Sequence, residues 1–131
     1  PVSAPALGAE LEASVRRLHP ATAVTHDIGP DAVAVPGRVA RALQLAAAQA
    51  VTNSVEHAAA ANLRVSFRAD ATGLGIAVSD DGPGFEASRV AEDRLGIRAS
   101  IIARVAAVAG VATVESGATG TTVSISWRER P

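Results

Sequence analysis

Residues 80–85 read Asp-Asp-Gly-Pro-Gly-Phe and follow the strand-like run Leu74-Gly-Ile-Ala-Val-Ser79. A carboxylate at the end of a buried strand can accept hydrogen bonds from the exocyclic amine of a flat polar ring, and such bonds strengthen where water is scarce. The turn that follows carries Gly82 and Gly84, which lack a Cβ and let the backbone approach a ligand closely. Asp80 is the stronger candidate of the acidic pair, because alternation along a strand turns only one of the two toward a pocket. Asp, Gly and Pro are also ordinary turn formers, so this stretch alone specifies little.

A second group lies upstream, in Gln49-Ala-Val-Thr-Asn-Ser-Val-Glu-His57. It sits within residues 38–61, the longest helical pattern of the chain, rich in Ala, Leu and Val and free of Gly and Pro. Pro36-Gly37 stands just before it, where a helix start tolerates both. On a helix, Gln49, Asn53 and His57 fall along one stripe. Leu43, Ala47, Ala50 and Ser54 form a separate, mostly apolar face. Asn is a poor interior helix residue; a ligand role for Asn53 would explain its presence, the alternative being that Asn53 and His57 are solvent-facing or otherwise satisfied polar residues. The Asn53 amide oxygen can complete the octahedral oxygen shell of a Mg²⁺ that keeps waters and bridges phosphates. Downstream, Leu95-Gly-Ile-Arg98 opens a further helical pattern running to residue 109. Its apolar positions include Ile97, Ile101, Ile102, Val105 and Val108, at helical spacing. A glycine at a helix start leaves backbone N–H groups pointing outward, a ready anion site.

The elements that must position these groups follow from patterning. Residues 1–20 hold a short helical piece over 10–18, broken by Pro20, and read as an N-terminal linker segment ahead of a domain over 21–131. Residues 23–28 read as a strand. In 63–69 apolar residues alternate with Arg and Ser, so one face is buried and the other, with Arg64 and Arg68, is wet. Residues 70–73 turn into the strand that ends at Asp80. Two more strand patterns, 111–116 and 121–127, are joined by Gly117-Ala-Thr-Gly120, a hairpin signal. Trp127, with Val123 and Ile125, reads as core packing. Strands with two long helices on one side imply an α/β (α+β) fold, a two-layer sandwich.

Composition sets the bounds. At 131 residues and 48% hydrophobic content, one core can be filled. A net charge of −1 gives no electrostatic footprint for nucleic acid or an anionic membrane. With no Cys, disulfides and thiolate metal sites are excluded. No apolar run approaches the roughly 20 residues of a membrane span, and no signal-peptide pattern opens the chain. Beginning at Pro1 without Met, the chain reads as an excised fragment or a processed chain. His26-Asp27 mimics a phosphoacceptor pair, but it lies in a strand pattern rather than on an exposed helix. His19, ahead of Pro20, reads as solvated.

The order of an Asn-bearing helix, Asp-x-Gly-x-Gly, a Leu-Gly-Ile-Arg helix start and Gly-Thr in the last strand resembles a known superfamily. It is the ATP-binding domain shared by gyrase, the heat-shock chaperone ATPases, histidine kinases and MutL. Within it, the chain is most similar to bacterial sensor histidine kinases of the nitrate/desiccation-sensor type. Their Asn helix reads roughly Glu-Ala-Leu-Thr-Asn-Ala-x-Lys-His-Ala, against Gln49-Ala-Val-Thr-Asn-Ser-Val-Glu-His-Ala58 here. Arg98-Ala-Ser-Ile-Ile-Ala-Arg104 also resembles the Arg-x-Ser-Ile-x-x-Arg helix of some actinobacterial members. The likeness spans residues 21–127.

The resemblance implies a Bergerat-type ATP-binding fold, with helices on one face of a mixed sheet, and ATP and Mg²⁺ as cofactors. Asp80 would accept from the adenine amine, with Thr121 assisting through a water, while Gly82 and Gly84 shape the adenine pocket. Asn53 would ligate Mg²⁺, and His57 would lie near the phosphates. Gly96, beside Ile97, would start the helix whose N–H groups face the phosphates, beneath a lid over 86–94. The implied partners are ATP or ADP, the dimerisation and phosphoacceptor helices of the full-length chain and a response regulator, with no nucleic acid and no membrane contact from this segment. The implied location is the cytoplasm, including as the cytoplasmic part of a membrane-bound sensor.

Three departures from the family pattern bear on activity. Gln49 stands where the family has a Glu of catalytic role, and Gln cannot serve as a base. Glu56 replaces a common Lys and would repel phosphate. Glu92-Asp93-Arg94 replaces the lid's Gly-x-Gly, whose backbone amides would wrap phosphate; Arg94 can offset this as a phosphate-pairing cation. The adenine end is intact and the phosphate end altered, so nucleotide binding with weakened phosphotransfer is expected. Alternatives within reach of the same residues are an anti-sigma-factor-type serine kinase and a degenerate nucleotide-sensing or partner-binding module.

Overall fold

The structure is a computed structural model. It describes the backbone of residues 1–57, 62–82 and 88–130, and the side chains of residues 1–56, 62–82 and 96–130. Eight elements run in the order α1 (Ala4–Leu18), β1 (Ala23–Ile28), α2 (Gly37–His57), β2 (Leu63–Ala69), β3 (Gly73–Asp80), α3 (Ser88–Ala106), β4 (Val111–Gly117) and β5 (Gly120–Arg128). The strands form one mixed sheet in the order β1-β2-β3-β5-β4, with β1 parallel to β2 and the other pairs antiparallel. The expected two-layer α/β architecture is present.

Period-2 alternation fixes which face is inside. In β2, Leu63, Val65, Phe67 and Ala69 are buried while Arg64, Ser66 and Arg68 are exposed. Register carries the same split across the sheet: Val65, Val78, Val123 and Val114 lie side by side, as do Phe67, Ile76, Ile125 and Ala112. These rows meet Leu43, Ala47, Ala50 and Val51 of α2, Ile101 and Val105 of α3, and Leu7, Leu11 and Val15 of α1 in one core. Trp127 belongs to it, as expected.

Residues 1–20 depart from the expectation of a linker. The helix starts six residues earlier than its sequence pattern, at Ala4, because Ser3 caps it (Ala6 N–H to Ser3 Oγ, 3.2 Å) and Pro5 falls in the first turn, where no N–H is required. Its Leu7, Leu11 and Val15 are fully buried, so α1 packs as part of the same core. Polar contacts fasten it further: Gln44 Nε2 donates to Glu10 Oε2 at 2.7 Å, and His26 Nε2 lies 2.6 Å from Glu12 Oε1. The His26 contact, then Arg16, holds the Glu12 carboxyl below the usual range. His26 does lie in a strand, while His19 bonds to Thr22 Oγ1 at 2.8 Å rather than only to water.

The second departure is α3. Its sequence pattern starts at Leu95, but the helix begins at Ser88. Residues 88–95 contain no Gly or Pro. The Glu92-Asp93-Arg94 segment that stands in place of glycines favours helix, and carries it back by nearly two turns. Among the described residues no helix is long and apolar enough to cross a membrane.

Candidate functional site

The sheet brings three segments together at one end. Asp80 closes β3, and its register partners are Leu63 at the start of β2 and Thr121 near the start of β5. Alternation sends the Asp80 side chain to the helix-covered face, where it is 8% exposed. Asp81 points elsewhere: its two carboxylate oxygens accept from Asn62 N–H (3.0 Å) and Asn62 Nδ2 (2.8 Å), a clamp that joins the ends of β2 and β3. Choosing Asp80 over Asp81 as the inward residue therefore agrees with the structure.

Asp80 is held by protein donors on both oxygens. Oδ1 accepts from Gly82 N–H at 3.0 Å and Thr121 N–H at 3.3 Å, and Oδ2 accepts from Ser54 Oγ at 2.6 Å. Thr121 serves through its backbone; its hydroxyl is 2.9 Å from Ser116 Oγ. Gly120 makes this approach possible. Its φ is 145°, and a Cβ there would stand 2.0 Å from the Asp80 carbonyl oxygen. Only glycine takes that backbone geometry without strain.

By its spacing Ser54 belongs to the mostly apolar face of Leu43, Ala47 and Ala50. It is on that face, one turn beyond Ala50, and 4% exposed. The missed signal is the hydroxyl itself, since a polar atom among buried Ala and Leu needs a partner on the opposing layer.

The adjacent helical stripe carries the second feature. Among the described side chains, two buried oxygens have no hydrogen-bond partner: Gln49 Oε1 and Asn53 Oδ1. They sit one helical turn apart, and Asn53 is 8% exposed. An unsatisfied buried acceptor costs about 1–3 kcal/mol, so two on one stripe call for a donor or cation that the described residues do not supply, whether water, ion or ligand. Both are neutral amides, and among the described residues no group of three or more His, Cys, Asp or Glu could hold a metal. A Mg²⁺ held here fits a site in which the residues supply oxygen and the ligand supplies charge.

The remaining predicted residues are placed as follows. Gly82 is buried in the turn after Asp80. Gly96 lies inside α3 rather than at its start, so its N–H belongs to the helix ladder and the expected anion site at this position is not formed. Ile97 is half-buried against the core. Gly84 lies outside the described residues, as do the side chains of His57 and Arg94. Of the expected lid, residues 86–87 are outside the described residues and 88–94 are helical backbone.

The comparisons with known proteins bear on family and fold. The sequence profile of the histidine kinase-, DNA gyrase B-, and HSP90-like ATPases matches residues 38–131. No curated protein matches the chain. Among solved structures, the histidine kinase domain of the blue-light activated histidine kinase of Erythrobacter litoralis EL346 is 27% identical, with a TM-score of 0.62 over 92% of this chain and 63% of that one. A second structure of that kinase gives 27% identity and a TM-score of 0.64, covering 92% of this chain and 41% of that one. Acinetobacter baumannii histidine kinase AdeS, at 18% identity, shares the fold with a TM-score of 0.67 over 99% of this chain and 66% of that one. The chain thus spans less than two thirds of the first two neighbours. From the profile match and the fold, the chain belongs to the family of histidine kinase-, DNA gyrase B-, and HSP90-like ATPases, as a histidine-kinase-type ATP-binding domain.

Proposed function

We propose that this chain binds Mg-ATP as the catalytic domain of a cytoplasmic two-component sensor histidine kinase, and that in the intact protein it presents the γ-phosphoryl to a His on a separate dimerisation helix. The observation that carries the reading is Asp80, a buried carboxylate with acceptor capacity to spare, beside the unpartnered oxygens of α2. The carboxylate would take the adenine amine, and Asn53 Oδ1 would join the oxygen shell of Mg²⁺. The ion's chemistry is to neutralise phosphate charge, and positioning with charge neutralisation carries most of such a transfer. Gly82 and Thr121 contribute N–H groups that hold Asp80, and His57, Arg94 and Gly84 are assigned to the phosphate side and the adenine turn by resemblance. The dimerisation helices and a response regulator complete the proposed set of partners.

Binding is tested by titrating ATP and ADP, with and without Mg²⁺, against the isolated domain. Saturable binding of both below millimolar concentration is expected, and failure of both at millimolar concentration sinks the proposal. The nitrate/desiccation-sensor subtype rests on the likeness of the Asn-helix sequence, Gln49 to Ala58.

Weakened chemistry is a separate expectation, since the neutral Gln49 cannot take a proton. Gln49→Glu should raise ATP hydrolysis by about a hundredfold, the low end of what a placed general base supplies, with ADP affinity little changed. No gain while binding is retained would favour the second reading, a nucleotide-sensing module without turnover. The helical run at residues 88–94, where glycines would otherwise wrap phosphate, is the observation that keeps that reading open.

A further inference from the structure

We propose that Ser54 is a positioning residue for base recognition, fixing the Asp80 carboxylate so that a single acceptor site is left for one ligand N–H. The inference rests on the nucleotide reading of the site. A carboxylate offers about four acceptor sites. On Asp80, Gly82 N–H and Thr121 N–H take the two of Oδ1, and the Ser54 hydroxyl takes one of Oδ2. Among the described residues none takes the fourth, on Oδ2. The two backbone bonds hold Oδ1, but Oδ2 can still shift if χ1 and χ2 move together so that the carboxylate pivots about Oδ1. Ser54 holds Oδ2 and opposes that pivot.

The hydroxyl is committed to that task. A serine inside a helix commonly returns its proton to the carbonyl one turn back. A hydroxyl has one proton, and here it goes across to the sheet, at 2.6 Å between two buried side chains. The resulting geometry selects a donor. An amine at the open position meets a charged acceptor, whereas a keto oxygen would face a carboxylate with no proton between them. Because Ser54 follows Asn53 directly, the same turn of α2 sets both the base-reading carboxylate and the unpartnered amide oxygen.

The test compares ADP with purine riboside diphosphate, which carries hydrogen where adenine carries its amine, by amide NMR titration. The wild-type domain should favour ADP. In Ser54→Ala the ADP affinity should fall about three- to tenfold, the cost of ordering a freed side chain on binding, while affinity for the amine-free nucleotide stays put. Ser54→Thr, which keeps the hydroxyl, should restore the preference. Should the Ala variant fail to fold, Ser54→Cys keeps the shape with a weak donor and should show the same selective loss, in smaller degree. Equal losses for the two nucleotides would mean that Ser54 is only structural, and undiminished ADP binding in Ala and Cys variants would also overturn the proposal. In either case, wild-type ADP binding would leave the nucleotide reading standing. A wild-type domain that binds neither nucleotide overturns both.

Discussion

Asp80 illustrates how much a single buried carboxylate is asked to do, and Asp80→Asn separates its two duties. The Asn amide oxygen can keep the two backbone N–H groups that Oδ1 now accepts. Its NH₂ would then point where Oδ2 sits, and the Ser54 hydroxyl can rotate from donor to acceptor. The variant should therefore fold. A ligand amine, however, would meet the remaining N–H proton instead of a charged oxygen. Hydrogen bonds to charged groups contribute about 1.5–3 kcal/mol, so ADP affinity should drop at least about tenfold in a calorimetric titration. Retention of wild-type affinity would show that the carboxylate does not read the base. At this scale the sequence was partly legible. Asp80 and Asn53 announced themselves because a strand-end acid and a mid-helix Asn are poor choices for structure alone. Ser54 stayed hidden, since its partner is 26 residues away and the pairing exists only once α2 lies on β3. Gly120 was visible as a hairpin residue, but its role in admitting the Asp80 carbonyl depends on register, which no local pattern gives.

Turns and helix ends decide where the elements stop, and two of them make separable predictions away from the site. At the opposite end of β3, Asp70 Oδ1 accepts from Thr72 Oγ1 (2.7 Å), Thr72 N–H (2.8 Å) and Gly73 N–H (3.1 Å). The Thr72 hydroxyl first, then the two backbone donors, hold its carboxyl below the usual range. A carboxyl lowered in the folded state stabilises fully above its unfolded value and loses that contribution as pH falls through the folded one. The stability difference between wild type and Asp70→Asn should thus be constant from neutral pH down to about 5 and shrink below about 4. A difference independent of pH in urea unfolding would refute the role of the charge. At the end of α3, Ala109 adopts φ 63° just before Gly110, and an alanine in the left-handed region costs about 1–2 kcal/mol. Ala109→Gly should raise unfolding free energy by about 0.5–1 kcal/mol after the added freedom of the unfolded chain is subtracted; a destabilised variant would contradict the geometry. The elements themselves were largely legible, because alternation in β2 and the Ala-rich run of α2 are strong periodic signals. The start of α3 was not, since Leu95-Gly96 looks like a beginning only if the preceding charged residues are assumed to be loop.

For the whole molecule, the site's position sets how ligand binding should couple to folding. Asp80 and Thr121 belong to β3 and β5 at the centre of the sheet, while Asn53 and Ser54 belong to the helix that lies across it. A nucleotide in contact with both layers would bind only where the two are docked, so the unfolded chain has no comparable affinity. Ligand at about ten times its Kd then stabilises by RT ln(1 + [L]/Kd), about 1.4 kcal/mol. For a domain of this size that corresponds to a rise in Tm of about 4–6 °C. Phosphates alone cannot give the full effect if the carboxylate reads the base, because a guanine nucleotide places a keto oxygen where adenine places its amine. Differential scanning calorimetry with ADP and GDP at equal concentration tests this directly. ADP should raise Tm by the amount above and GDP by less than about 1 °C, the shift expected when occupancy is low. Equal shifts would mean that binding is carried by the phosphates and that the buried carboxylate is only a joint between helix and sheet.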